Sequence, residues 1–127
     1  MDIETCRKSI QRDFRDAGVK TSYFAKYKEG ERGVSIATGS PAWFKGRTYP
    51  PLNPGWVLAK SFQNNQDEEY FTKMYHELVL DKLDPKKVFD DLRGCTLLCW
   101  EKSGEFCHRR VVARWLEEAL GVTINEL

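Results

Sequence analysis

The segment at residues 96–120, TLLCWEKSGEFCHRRVVARWLEEAL, constrains the fold more than any other part of the chain. It contains a short apolar run at residues 96–100, a polar turn at 101–104, and an amphipathic stretch that begins at Cys107. This pattern predicts a buried strand, a turn and a helix. In open α/β proteins, ligands bind at the carboxyl end of such a strand, where the next helix points its free N–H groups. We therefore expect the functional site in this turn.

The other elements are predicted from hydrophobic periodicity and from glycine and proline. They are a helix at 4–17, two adjacent strands at 21–28 and 33–37, a long ordered loop at 38–56, a helix at 65–83, a short helix after Asp84, and a final strand at 122–127. Strands that alternate with helices are typical of the α/β class. We expect a single α/β domain over residues 1–127, a three-layer Rossmann-like fold with a mostly parallel sheet.

Composition excludes a strong global attraction to polyanions. The chain has 127 residues and a formal charge of +1, so any contact with nucleic acid requires a local patch. The sequence has neither a signal-peptide pattern nor an apolar run long enough for a membrane span, which predicts a cytoplasmic protein without membrane contact. In that compartment, its four cysteines are expected to be reduced thiols.

Catalytic candidates cluster in the turn. The positive end of the helix dipole favours an anion, which Arg109 would help to hold, and it favours the thiolate of Cys107 as a nucleophile. His108 is a candidate proton partner, and Glu101 could act as a general base or accept a hydrogen bond from a ribose hydroxyl. Neighbours on a helix diverge by about 100 degrees, so His108 can face Cys107 only if Cys107 is not helical.

The loop at 38–56 interleaves aromatic and cationic side chains, as surfaces that bind bases and phosphates do. Trp43 and Tyr49 are the candidates for stacking, and Arg47 is the candidate for phosphate contact. The alternative is that the aromatic side chains fold inward and only hold the loop in place. Backbone N–H groups near Ser35, Thr38 and Gly39 could also cradle an anion, although the glycine spacing is not that of a dinucleotide or P-loop motif.

Known thiol and metal motifs are not matched. A cysteine-phosphatase loop requires Arg six positions after Cys107, where Ala113 stands, and a rhodanese loop requires it at Val112. Four side chains could in principle bind zinc, but none forms a tight CxxC pair, so we expect no metal and no cofactor; they are Cys95, Cys99, Cys107 and His108. The plainer alternative is that the cysteines are core residues and that Arg109 and Arg110 form ion pairs.

The segment LLCWEKSGEFCHRRVVARWLE resembles the family known as domain of unknown function 488, whose members carry LLCxE on a strand and CHR at the head of a helix. The segment VSIATGSPAWFKGRTYPPLNPGW resembles the front half of the same family, particularly forms from bacteria and their phages. The residues that match the motif are Cys99, Glu101, Cys107, His108 and Arg109. The resemblance implies a Rossmann-like α/β domain but no particular reaction. Thr38 stands where the family commonly has Arg, which removes one possible phosphate contact.

These observations lead to one hypothesis and two alternatives. The protein is expected to bind a phosphate-bearing nucleotide-like ligand between the loop at 38–56 and the Cys107 helix, with Cys99 in the ligand site; whether it also processes this ligand stays open. The first alternative is a binding module without turnover, either a phage-type nucleotide-sequestering protein or a nucleic-acid-associated one. The second is an interaction domain in which the Cys-His-Arg motif only stabilises the turn. The sequence does not decide whether there is turnover.

Overall fold

The computed structural model describes residues 18–28, 32–102 and 104–127. Within these ranges, four parallel strands form one sheet in the order β1-β4-β2-β3. They are β1 (Lys20–Tyr23), β2 (Gly33–Ser35), β3 (Arg47–Thr48) and β4 (Thr96–Cys99). The predicted α/β class and parallel sheet are confirmed. The helix predicted at residues 4–17 lies outside the described residues.

Strand β4 lies inside the sheet. All four of its residues are buried, as expected for a parallel strand that is covered on both faces. Thr96 pairs with Lys20 of β1 on one side and with Gly33 of β2 on the other. The prediction that the strands at 21–28 and 33–37 are adjacent was therefore wrong, because β4 lies between them. The first of these strands also ends early, at Tyr23, where a 3-10 helix (Phe24–Lys26) begins.

Four α-helices occur in the described part of the chain: α1 (Trp56–Asn65), α2 (Glu68–Leu78), α3 (Pro85–Leu92) and α4 (His108–Leu120). The side chains of Asp67 and Asp84 cap α2 and α3 by accepting hydrogen bonds from backbone N–H groups of Tyr70 and Lys86. Helix α4 ends at Gly121, which adopts a left-handed conformation with φ of 68°. Helices α2, α3 and α4 confirm the helices predicted from periodicity, but the helix expected at 65–83 spans only Glu68–Leu78 and is followed by a separate 3-10 helix (Leu80–Lys82). None of the described helices is long and apolar enough to cross a membrane.

Helix α1 was not predicted. Its N-cap is Gly55, which offers no side chain to cap the helix, so the usual start signal is missing. Its first residues, Trp56 and Val57, are 69% and 88% exposed, and only Leu58 is fully buried. Because these two exposed residues are apolar, the sequence of the helix does not show a separate apolar face and polar face. The expected loop at 38–56 also contains the short strand β3 and a 3-10 helix (Pro50–Leu52).

The C-terminal segment returns to the open edge of β1. Thr21 forms a parallel bridge with Glu126, and its backbone hydrogen-bonds to Asn125 and Leu127. The pairing is limited to this bridge, which is shorter than the predicted strand at 122–127. Ion pairing of Glu126 with α4, described below, fixes this segment beside the sheet.

A hydrophobic core joins the sheet to helices α1, α2, α3 and α4. Tyr75 of α2 is fully buried, and its hydroxyl donates a hydrogen bond of 2.6 Å to the carbonyl oxygen of Leu52. This bond ties α2 to the 3-10 helix that precedes α1. The start of α1 and the start of α4 both lie near the carboxyl ends of β2 and β4, where they line one cavity.

Candidate functional site

The site is built where β4 ends and α4 begins. Cys99 is the last residue of β4, and Cys107 is the N-cap of α4. Cys107 has extended backbone angles (φ −150°, ψ 146°), so it is the non-helical first residue that the sequence argument required for contact with His108. The turn between them folds the chain back, so two residues that are eight positions apart come into contact.

Cys99 and Cys107 form a disulfide. The expectation that all four cysteines are reduced was therefore wrong for this pair. A sequence offers no spacing rule for such a bond, because the pairing depends on how the turn at residues 100–106 folds. Cys95 is free and buried. Both bonded cysteines are almost completely buried from bulk solvent, with Cys99 1% and Cys107 3% exposed.

His108 is held in one orientation. Its Nε2 lies 2.8 Å from the carbonyl oxygen of Ile36, which can only accept, so Nε2 carries the proton and Nδ1 presents its lone pair. Nδ1 lies 3.8 Å from the sulfur of Cys107. Burial, with a smaller contribution from the nearby Arg109, lowers the pKa of His108 from 6.5 to about 4, against the hydrogen bond to Ile36, which raises it. At neutral pH, His108 is therefore an uncharged acceptor facing Cys107.

Arg109 is completely buried, and its guanidinium donates hydrogen bonds to other residues of the same chain. Its Nε and Nη2 donate hydrogen bonds of 3.0 and 2.7 Å to the two carboxylate oxygens of Glu126. Its Nη1 donates to the sulfur of Cys99 at 3.1 Å, and the guanidinium lies 5.8 Å from the ring centre of Tyr23. The sequence proposed Arg109 as the residue that holds an anion. In the structure its charge is instead neutralised by Glu126.

A cavity of about 450 Å³ opens at this point. It brings together six of the side chains and backbone segments that the sequence analysis selected: Thr38, Gly39, Cys99, Glu101, Cys107 and His108. Glu101 is the one charged side chain among the described residues that line it. Because Cys107 and His108 begin α4, the positive end of the helix dipole also faces this space. The cavity thus combines a carboxylate, an imidazole, two sulfur atoms and a helix N-terminus.

The aromatic wall of the cavity comes from residues that the sequence analysis did not select. Trp56 packs over Gly39, where an added Cβ would lie 3.5 Å from the indole ring. Trp100 also lines the cavity, and it donates a hydrogen bond of 2.6 Å from its indole nitrogen to the carbonyl oxygen of Gly39. Phe62, Phe71 and Phe106 complete the wall. Trp56 and Phe62 lie on the unpredicted helix α1, so their role depended on an element that the sequence pattern did not indicate.

The remaining selected residues do not line this cavity. Ser35 accepts a hydrogen bond from Ser40, and Trp43 packs edge-on against Phe24. Arg47 contacts the sulfur of Cys95 at 3.8 Å. Tyr49 donates a hydrogen bond of 2.7 Å to Asp91; burial and this bond raise the pKa of Tyr49 to about 12. Tyr49 packs against the hydrophobic core, as in the alternative interpretation of the loop, whereas Trp43 remains 56% exposed.

Three side chains could hold a metal ion among the residues that the structure describes. The ligand atoms of Cys99, Cys107 and His108 all lie within 4.8 Å of one another, and Cys95 is not part of this group. Metal binding needs thiolates, which the disulfide removes. The oxidised protein therefore lacks the two sulfur ligands that such a site would use.

A comparison with protein families matches this architecture. The family model described as the active DUF488-N3 subclade, DUF488-N3a, covers residues 22–120. The chain belongs to the DUF488 family. The matched range includes the whole cavity lining and the residues of the predicted motif, from Cys99 to Arg109. Searches of curated proteins and of solved structures gave no significant match.

The structure shows where the side chains of the family motif lie in this DUF488 protein. Glu101, Cys107 and His108 line the cavity, whereas Arg109 binds Glu126 behind it. The Cys and His of the CHR segment thus both line the cavity. The Arg of that segment supports the sulfur of Cys99 and the C-terminal segment.

Proposed function

We propose that this DUF488 protein binds a phosphate-bearing, nucleotide-like ligand in the cavity next to Cys107, and that Cys107, His108 and Glu101 process it. The observation that carries the proposal is the shared cavity, whose lining includes five aromatic side chains together with the candidate catalytic groups. A planar base fits between aromatic faces, and stacking of this kind does not depend on base identity.

Polar groups of the cavity suit the rest of such a ligand. The carboxylate of Glu101 is an acceptor for sugar hydroxyls, and the side chains of Ser40 and Gln63 offer further hydrogen bonds. With Arg109 paired to Glu126, the phosphate would be bound by the N-terminus of α4 rather than by a guanidinium. The name of the matching subclade, which is described as active, also favours turnover.

A thermal-shift screen tests binding. The panel contains the common nucleosides, their monophosphates and inorganic phosphate. A ligand at 100 times its Kd stabilises the folded state by about 2.7 kcal/mol, which is readily seen as a rise in Tm. We expect the largest shift from a nucleoside monophosphate, and absence of any shift across the panel would contradict the proposal.

A matched pair of variants locates the binding site. Ala59→Phe places a large side chain on the cavity wall, and Ala119→Phe places the same side chain at an exposed position of α4 outside it. Ala59→Phe should abolish the ligand-induced shift, and Ala119→Phe should retain it. Equal shifts in the two variants would place the ligand elsewhere.

One observation favours a second function, which is binding without turnover. In the disulfide form, Cys107 has no thiolate to attack a ligand, although the cavity is open. A nucleotide-sequestering or nucleic-acid-associated protein would need only the cavity. Mass spectrometry of the nucleotide after incubation with reduced and with oxidised protein separates the two functions: turnover confined to the reduced protein supports an enzyme, and unchanged nucleotide in both samples supports a binding module.

A further inference from the structure

Two sulfur atoms lie at the wall of the cavity, and each has a different chemical neighbour. Cys107 faces the unprotonated Nδ1 of His108 at 3.8 Å. Cys99 accepts a hydrogen bond from the guanidinium of Arg109 at 3.1 Å. An acceptor beside a thiol assists its deprotonation, whereas a cationic donor stabilises a thiolate. The structure thus distinguishes the two cysteines.

We propose that Cys99 and Cys107 are a redox-active pair that exchanges with a low-molecular-weight, uncharged aromatic disulfide bound in the cavity. Cys107 is the attacking residue and Cys99 is the resolving residue. This activity goes beyond nucleotide binding and needs no nucleotide, so a failed nucleotide screen leaves it untouched.

In the first step, one RS group of the bound disulfide is transferred to Cys107. The thiol proton of Cys107 passes to Nδ1 of His108, and the sulfur attacks one sulfur of the ligand R–S–S–R. A bond forms between Cys107 and RS, the ligand S–S bond breaks, and the departing RS⁻ takes the proton from His108. The protein then carries a mixed disulfide at Cys107.

The second step closes the protein disulfide. Cys99, supported by Arg109, attacks the sulfur of Cys107, and the second RS⁻ leaves with the proton of Cys99. Two electrons have passed from the protein dithiol to the ligand, which leaves as two RSH molecules. A low-molecular-weight thiol such as dithiothreitol reverses the reaction: it reduces the protein disulfide and is itself oxidised to a disulfide.

The cavity lining indicates the class of ligand. Its walls are mainly aromatic and apolar, and Glu101 is the one charged side chain that lines it in the described part of the chain. A disulfide whose anionic group lies beside Glu101 would be repelled, whereas a phosphate on another part of a ligand can bind the N–H groups at the N-terminus of α4; the cation of Arg109 is neutralised by Glu126. An uncharged aromatic disulfide meets neither difficulty.

The experiment uses the full chain with Cys6 and Cys95 replaced by serine, so that only the proposed pair remains. After reduction and desalting, this protein is mixed with 4,4′-dithiodipyridine, and released thiopyridone is followed by absorbance. We expect two equivalents of thiopyridone per protein and a final mass without adduct, because the second cysteine resolves the first. A stable pyridyl adduct on this protein would overturn the proposal.

Single variants in the same background test the roles. Cys99→Ser should release one equivalent at the rate of the parent and retain a pyridyl adduct on Cys107. Cys107→Ser should react much more slowly, because Cys99 does not lie at the N-terminus of α4, where the helix dipole favours a thiolate. If the two variants react equally fast, the assignment of attacking and resolving cysteine is wrong.

Two further measurements separate the proposal from general thiol reactivity. His108→Gln should slow the release of the first equivalent while the total remains two, since the imidazole assists attack and not resolution. The anionic reagent 5,5′-dithiobis(2-nitrobenzoate) should react more slowly than 4,4′-dithiodipyridine, and Glu101→Gln should reduce that difference. A rate ratio that Glu101→Gln leaves unchanged would contradict the ligand class.

Discussion

Arg109 and Glu126 form a two-point ion pair that fastens the C-terminal segment to helix α4. The guanidinium is fully buried, and the nitrogen–oxygen distances are 3.0 and 2.7 Å. Thr21 also donates a hydrogen bond to Glu126, at 2.6 Å, so β1, α4 and the C-terminus meet at one carboxylate. The most prominent cation of the sequence motif therefore has a structural partner before any ligand binds.

Arg109→Ala should destabilise the fold by about 3–5 kcal/mol, because it leaves a carboxylate without its buried partner. The free energy of unfolding is measured by urea denaturation. Arg114→Ala, which removes an exposed arginine from the same helix, is the control and should change stability by no more than about 0.5 kcal/mol. Similar losses in the two variants would mean that the ion pair contributes little.

His108 should make stability depend on pH between about 4 and 6.5. Its pKa falls from an ordinary value of 6.5 to about 4 on folding, so the unfolded chain binds a proton that the folded protein excludes. Stability is thus fully present above pH 6.5, falls as pH decreases through this range by roughly 3 kcal/mol in total, and levels off for this group below pH 4. Urea denaturation at pH 7.5 and 5.0 measures the change.

The control for this pH effect is His108→Gln, which cannot titrate and can still donate to the carbonyl oxygen of Ile36. The variant should lose less stability between pH 7.5 and 5.0 than the wild type does. An equal loss in both proteins would show that other groups cause the pH dependence.

Trp56 and Trp43 are alternative candidates for the side chain that stacks on the ligand: the structure favours Trp56, and the sequence favoured Trp43. Trp56 lines the cavity, whereas Trp43 packs against Phe24 outside it. Trp56→Ala should weaken binding of the nucleotide that gives the largest thermal shift by about 1–3 kcal/mol, roughly 5- to 150-fold in Kd. Trp43→Ala should leave that Kd unchanged. Isothermal titration calorimetry supplies both values, and the reverse result would restore the loop residue as the stacking partner.

The N-cap of α2 offers a test of the fold itself. Asp67 accepts a hydrogen bond of 3.0 Å from the backbone N–H of Tyr70. Asp67→Ala should destabilise the protein by about 1 kcal/mol. Lys73→Ala, at an exposed position of the same helix, should have an effect within about 0.5 kcal/mol. Equal effects would show that the cap is not formed in solution.

Much of the fold was predictable because local rules and tertiary structure agree. The strand at Thr96–Cys99 and the helix at His108–Leu120 follow from continuous apolar character and from helical periodicity. Strand order is different, since no local pattern indicates that β4 inserts between β1 and β2. Helix α1 escaped prediction because Gly55 gives no side-chain cap and Trp56 faces the cavity rather than the core.

The candidate site was predictable in position but not in its details. The start of α4 at the end of β4 follows from the sequence, and Glu101, Cys107 and His108 indeed line one cavity there. The partner of Arg109 was not predictable, because Glu126 reaches it only through the return of the C-terminus to β1. The same holds for the disulfide, which depends on the path of the turn between Cys99 and Cys107.

We propose that the cavity beside Cys107 binds a ligand. The rate of alkylation of each cysteine by iodoacetamide in the reduced protein tests this; it is read by peptide mass spectrometry, with and without the nucleotide panel. We predict that Cys107, which lines the cavity, reacts faster than Cys95, which does not, and that at least one nucleotide slows alkylation of Cys107 while the rate at Cys95 stays the same. Equal rates at the two cysteines, or no protection by any nucleotide, would contradict the account.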